Sequence, residues 1–181
     1  MSGSLSRAPL SGADWFAVEL DPATREVVML DQRVLPGEVR YHRYSKPDDV
    51  AYAIRNMVVR GAPAIGIAAA YALALVARDE KGDAKMFLVA NGTAGRILNA
   101  TRPTAINLAW AIARMSRKAG EVAELAPEDR YAGMLAEAEA IHREDVAACR
   151  AMGELGAADV PDGALILTHC NAGALATGGY G

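Results

Sequence analysis

The residues best suited to chemistry lie near the end of the 181-residue sequence, at positions 168–171 (THCN). Cys170 follows a short apolar run, and a thiol at the end of a strand beside a ligand cleft can act as a nucleophile, a base or a polar stabiliser. His169 is not automatically its partner, because adjacent side chains of an extended segment point to opposite sides. A buried, inert cysteine is the alternative, and it stays open at this point.

A second candidate is the loop at residues 60–63 (RGAP), which precedes an apolar helix. Arg60 can clamp an anion with two hydrogen bonds, and Gly61 lets backbone approach a ligand closely. The first amides of the helix are free, and the helix dipole favours an anion beside them. The loop therefore predicts a phosphate site, with an ordinary loop carrying a surface arginine as the alternative.

Residues 101–104 (TRPT) repeat this arrangement. Arg102 directly precedes Pro103, which we place at the first position of another helix, and Asn107 follows within a turn and a half. A capped helix with a solvated arginine would give the same sequence. Two such loops in one domain favour the phosphate interpretation, although neither is specific alone.

The remaining cysteine and histidines carry no chemistry in our interpretation. Cys149 lies in an alanine-rich helical stretch and is predicted to be a packing residue. His142, Glu144 and Asp145 could suggest a metal, but their spacing does not put three ligands on one helix face, so no metal site is predicted. His42 has no partner in the sequence and receives no role.

The elements that must position these loops begin with short strands. Residues 15–20 and 26–30 read as a hairpin around the turn residues 21–24, and residues 38–44 alternate as a third strand would. The Ser/Gly-rich residues 1–12 are predicted to form a flexible tail.

Helical periodicity dominates the middle of the chain. One helix opens at Lys46 with Ser45 as its cap, and the helix at 63–78 is apolar on every side, which predicts a buried position. Further helices are predicted within 79–101, at 103–118 and at 127–155.

The last part of the chain changes character. Residues 164–168 form a short apolar run that predicts a buried parallel strand, followed by a polar turn and small residues. Such a unit resembles the start of a doubly wound domain, which binds ligands beyond the carboxyl ends of its strands. The predicted fold is α/β, with a flexible tail at 1–12, an α+β domain at 13–155 and the first strand and loop of an incomplete Rossmann-like domain at 156–181.

The composition excludes several classes of protein. With a net charge of -3, 52% hydrophobic and 23% charged residues, the chain is an ordinary globular one and is not basic enough for non-specific nucleic-acid binding. Its longest apolar run, at 62–77, is short for a membrane span. Two cysteines do not form a disulfide framework, so we expect a reducing, cytoplasmic location without membrane attachment.

Taken together and in this order, these loops resemble the methylthioribose-1-phosphate isomerases of the initiation factor 2B alpha/beta/delta-like superfamily. Together the motifs are specific, and the resemblance extends from about residue 15 to the last residue. The matching stretches are residues 30–36, 57–66, 101–108, 141–146 and 167–177.

This resemblance implies an aldose–ketose isomerase that converts 5-methylthioribose 1-phosphate to 5-methylthioribulose 1-phosphate in methionine salvage, without a cofactor. It implies that Arg60, Gly61, Ala62 and Arg102 bind the sugar phosphate and that Cys170 is the active-site cysteine. It also implies a homodimer at full length. The family's acid/base aspartate lies beyond the residues given, so we expect this chain alone to be inactive.

Two alternatives remain open. One is ribose-1,5-bisphosphate isomerase, which needs a second phosphate site. The other is a non-enzymatic regulatory subunit of the guanine-nucleotide exchange factor for translation initiation. The combination of the Arg60, Arg102 and Cys170 loops favours an enzyme over that subunit.

Overall fold

The structure is a computed structural model that describes residues 5–181. Within these residues it has three β-strands and five α-helices, which confirms the predicted mixture of a small sheet with helices. The elements are β1 (Val18–Asp21), β2 (Glu26–Leu30), β3 (Tyr41–Tyr44), α1 (Pro47–Arg55), α2 (Ala62–Asp79), α3 (Ala84–Asn99), α4 (Ile106–Val122), α5 (Pro127–Ala157) and a short 3₁₀ turn (Ala174–Ala176).

The three strands form an antiparallel sheet in chain order. Val18 of β1 lies opposite Met29 of β2, and both side chains are in the hydrophobic core. The alternation of side chains along β2 puts Val27 on the same face as Met29. The three strands predicted in the first part of the chain are confirmed, but β1 and β3 are shorter than predicted and begin at Val18 and Tyr41.

Helix α2 is the centre of the domain. By length and composition it could cross a membrane, yet 78% of it is buried inside the protein, as predicted for a core helix. The other four helices pack around it. Gly66 permits a close approach of α4, because a Cβ atom there would lie 2.9 Å from the carbonyl oxygen of Asn107 in that helix.

Two predicted helix starts are wrong in detail. Helix α4 begins at Ile106, not at Pro103, because residues 101–104 form a turn in which the Thr101 hydroxyl donates to the Leu98 carbonyl at the end of α3. Helix α1 is capped by Lys46 without a side-chain hydrogen bond, so Ser45 is not its cap. The helix predicted within 79–101 is confirmed as α3, whose cap Asp83 accepts a hydrogen bond from the amide of Met86.

The predicted strand at 164–168 is absent. This segment has no strand partner in the described chain, and the Leu165 and Leu167 side chains are fully exposed. Residues 174–179 instead fold back onto the helical domain, where residues 176–179 are buried. A parallel strand needs neighbouring strands for its backbone groups, and these residues have none to pair with.

The beginning of the chain also differs from its prediction. Residues 5–12 were expected to be a flexible tail, but they contact β1: the Ser6 hydroxyl donates to Asp21, and the Leu10 amide donates to Glu19 over 2.6 Å. These bonds hold the segment because both carboxylates are buried. Residues 1–4 of the predicted tail lie outside the described residues.

Candidate functional site

The start of α2 is built to leave backbone amides free. Gly61 occupies the cap position with φ of 99°, a left-handed conformation that favours glycine, and no side chain caps the helix. The preceding loop is fixed, because Val58 and Val59 are buried and the Gln32 amide donates to the Val58 carbonyl over 2.9 Å. The uncapped first turn leaves room for an anion, with the exposed Arg60 next to it, and the phosphate role of this loop stays a prediction.

The start of α4 has the same character and lies beside it. Its cap residue, Ala105, has no side-chain hydrogen bond, and Arg102 is exposed in the turn just before it. The close approach of Gly66 to Asn107 brings the second turn of α2 against the first turn of α4. The structure thus brings together the two helix starts that the sequence marks with arginines.

Both helix starts line one pocket of about 420 Å³. Its wall is mostly apolar and comes from α2, α4 and α5. The lining residues are Pro63, Gly66, Ile67, Ile106, Asn107, Trp110, Ile141, Glu144 and Asp145. Arg60, Arg102 and Cys170 do not belong to this set. The two arginines are linked to it only along the chain, where Arg60 precedes Pro63 and Arg102 precedes Ile106.

Two carboxylates stand on the α5 side of the pocket. Glu144 accepts a hydrogen bond from Arg114 over 2.8 Å, which lowers its pKa. Burial raises the pKa of Asp145, and this carboxylate accepts a hydrogen bond from the Gly178 amide over 2.6 Å. Among the described residues no group of three or more potential ligands could hold a metal ion.

The two cysteines occupy different environments. Cys170 is exposed, within the irregular stretch between α5 and the 3₁₀ turn, and its φ of 63° is unusual for a residue with a side chain. Cys149 is half-buried on α5, and burial together with Asp145 raises its pKa. Cys170 does not lie at the end of a strand, and its catalytic role stays a prediction.

Sequence reasoning missed a buried polar group around His142, a residue to which it gave no role. His142 is completely buried. Its Nε2 lies 2.7 Å from the Gly178 carbonyl, which can only accept, so Nε2 donates there and Nδ1 accepts from the Tyr71 hydroxyl at 2.8 Å. Burial lowers the pKa of His142 to about 4. The i, i+4 spacing with Ala138 and Val146, both buried, was the signal that this position faces inward.

A buried glutamate lies beside this group. One Glu19 oxygen accepts from the Leu10 amide, and it lies 4.0 Å from His142 Nε2. Burial raises the pKa of Glu19 to about 7, although Arg7 opposes the shift from 3.5 Å. The alternation of apolar and acidic residues along β1 gave no hint of a buried carboxylate, because it is typical of a strand with one solvent-facing side. In the structure all four residues of β1 are buried.

Most of the chain matches a known protein family. Residues 58–178, which include both arginine loops, Cys170 and the docked 3₁₀ turn, match the Initiation factor 2 subunit family. The chain belongs to that family. Membership in the Initiation factor 2 subunit family alone does not define an activity, since a fold family can host several functions.

Individual relatives of this chain are named for an activity. The chain is 53% identical over 161 residues to the methylthioribose-1-phosphate isomerase of Anaeromyxobacter sp. (strain K), which covers 89% of this chain and 44% of that protein. It is 54% identical to the enzyme of the same name from Alcanivorax borkumensis, over 84% of this chain and 43% of that protein. The chain therefore spans less than half the length of these curated relatives.

Solved structures agree on the fold. The crystal structure of 5-methylthioribose 1-phosphate isomerase from Pyrococcus horikoshii matches with a TM-score of 0.85 and 42% identity, over 98% of this chain and 50% of that one. Subunit delta of translation initiation factor eIF-2B from A. fulgidus matches with a TM-score of 0.79 and 36% identity, over 91% of this chain and 47% of that one. The similarity covers both the helical domain and most of the stretch that follows it.

Proposed function

We propose that this chain is part of an aldose–ketose isomerase that converts 5-methylthioribose 1-phosphate to 5-methylthioribulose 1-phosphate. The observation that carries the proposal is the convergence of two uncapped helix starts, each next to an arginine, on one apolar pocket. A phosphate dianion suits the free amides and the two guanidinium groups. The named activity of relatives about half identical to this chain supports the same substrate.

In this proposal the residues have separate tasks. Gly61 and Ala62 offer backbone amides to the phosphate, and Arg60 and Arg102 neutralise its charge. The phosphate sits on the anomeric carbon, so the sugar ring must open before hydrogen moves between the first two carbons. That step needs a proton donor or acceptor for the ring oxygen and a group that stabilises the rearranging carbons, and we assign Cys170 to this neighbourhood.

The pocket wall favours this substrate over ribose 1,5-bisphosphate. Ile67, Ile106 and Trp110 offer an apolar surface, which suits a methylthio group. None of the residues that line the pocket is basic, so the pocket wall offers no cation for a second phosphate.

The regulatory-subunit alternative has its own support in the similarity to eIF-2B subunit delta. Such a subunit would bind a partner protein and turn over no sugar.

The resemblance to the isomerases extends the proposal to a Rossmann-like domain that begins near residue 156, a homodimer and a cytoplasmic location.

The test is an assay of a protein that continues this chain to the length of its relatives. We expect turnover of 5-methylthioribose 1-phosphate and none of ribose 1,5-bisphosphate. Arg60→Ala and Arg102→Ala should each weaken substrate binding by about 1.5–3 kcal/mol, as for a charge-assisted contact. Arg117→Ala, on the exposed side of α4, is the matched control. Absence of turnover, or unchanged kinetics in both arginine variants, would overturn the proposal.

A further inference from the structure

The segment at residues 174–179, here named the docked segment, touches the Gly61 loop directly. A Cβ atom at Gly61 would lie 2.3 Å from the Cα of Ala176, so backbone packs on backbone at this point. Gln32 joins the same two elements, because its backbone amide donates to Val58 and its side chain donates to the Leu175 carbonyl over 2.8 Å. The docked segment and the Gly61 loop are therefore in direct contact, and a displacement of one should disturb the other.

The other end of the docked segment is held on α5. His142 donates to the Gly178 carbonyl, and the Gly178 amide donates to Asp145. Both backbone polar groups of Gly178 are therefore held by α5. There is no space for a side chain here, since a Cβ atom on Gly178 would lie 2.7 Å from the His142 ring. Tyr71 of α2 orients the ring by donating to its second nitrogen.

We propose that His142 is a positioning residue for the phosphate-binding loop at Arg60, Gly61 and Ala62. It is not among the residues that line the pocket. It acts through the docked segment: His142 and Asp145 fix Gly178, which fixes Ala176 two residues earlier, and Ala176 supports Gly61. This inference rests on the proposed function, because it assigns His142 to the loop that binds the phosphate.

The experiment uses the 181-residue chain, with the amide NMR signals of Gly61 and Ala62 as reporters and inorganic phosphate as the probe. His142→Gln should shift both signals and weaken phosphate binding about fivefold, the effect of one lost net hydrogen bond. His42→Gln is the matched control, because His42 lies on β3 and its ring contacts Asp31 and Tyr44, neither of which belongs to the docked segment. It should leave the signals and the affinity unchanged.

Variants of Asp145 test the same coupling between the docked segment and the Gly61 loop if His142→Gln does not fold. Asp145→Ala removes the acceptor for the Gly178 amide and should shift Gly61 and Ala62 in the same direction. Asp145→Asn keeps an acceptor oxygen and should restore most of the wild-type signals, which a general loss of stability would not do.

Two outcomes separate this inference from the proposed function. If the wild-type chain binds no phosphate at Gly61 and Ala62, the assigned phosphate site is wrong, while the signal shifts in the variants still test the coupling. If folded His142→Gln or Asp145→Ala leaves the Gly61 and Ala62 signals where they were, the positioning role is overturned.

Discussion

Two neighbouring stretches after α5 behave in opposite ways. Residues 158–173, here the exposed stretch, include Leu165, Ile166 and Leu167, all of which are open to solvent. The docked segment consists largely of alanine and glycine, yet residues 176–179 are buried.

The difference shows that hydropathy does not decide burial here. The docked segment has partners for its backbone on the helical domain: Gln32, His142 and Asp145. It also lacks side chains where the backbone must approach closely, as at Gly178. Residues 164–167 of the exposed stretch are apolar but have no such partners among the described residues, and buried backbone groups without partners are costly.

The largest effect that would test this comparison is a difference in cleavage rate. Thermolysin cuts before leucine and isoleucine, and we expect it to cleave within residues 164–168 orders of magnitude faster than within α2, because the exposed stretch opens at almost no free-energy cost. Cleavage sites identified by mass spectrometry provide the measurement. Protection of Leu165 and Leu167 equal to that of the core would contradict it.

Acid should loosen the docked segment through His142. Its folded pKa of about 4 lies below the ordinary value of 6.5, so its contribution is fully present above pH 6.5 and is lost as pH falls through about 4. This loss amounts to about 3 kcal/mol of unfolding free energy, on the scale of 1.36 kcal/mol per unit of pKa shift. Urea unfolding at pH 7 and pH 4 should show a smaller loss for His142→Gln than for the wild type.

Glu19 should change stability with pH in the opposite direction to His142. Its folded pKa of about 7 lies above the ordinary 4.5, so its contribution is present below pH 4.5 and is lost as pH rises through 7. Glu19→Gln should therefore reduce the loss of stability between pH 5 and pH 8, measured by the same urea unfolding. An unchanged pH profile would mean that Arg7 compensates for the burial of this carboxylate.

A methyl group at Gly178 should displace the docked segment. Gly178→Ala places a Cβ against the His142 ring and should cost about 1–3 kcal/mol, as overpacking does in a dense site. Gly156→Ala is the matched control, since no atom lies within 4 Å of a Cβ there and alanine favours the helix. Thermal unfolding compares the two. Equal stability of both variants would show that the site has room to adjust.

The smallest effect concerns the two thiols. Cys170, in the exposed stretch, should react with iodoacetamide about tenfold faster than Cys149, whose thiolate is disfavoured by burial. Mass spectrometry of a time course at pH 8 measures both. Earlier modification of Cys149 would mean that the exposed stretch shields Cys170.

Much of the fold could be predicted because it rests on local patterns. The hairpin, the third strand and the helices within 79–101 and 127–155 follow from alternation, turn residues and helical periodicity, and the structure contains all of them. The start of α4 was misplaced at Pro103 because a proline permits both a first helical turn and a non-helical turn. Thr101 decides between them by bonding to α3.

The candidate site divides in the same way. The sequence by itself indicated the two arginine loops and the buried apolar helix behind the first of them, because each depends on neighbours along the chain. The left-handed conformation of Gly61 at the helix cap was seen only in the structure. Only the tertiary structure decided that Gly66 and Asn107 bring the two helix starts to one pocket, that His142 is buried and neutral, and that small residues at 176–179 dock while Leu165 and Leu167 stay exposed. These outcomes depend on hydrogen-bond partners and close contacts between residues far apart in the chain, which local sequence patterns do not contain.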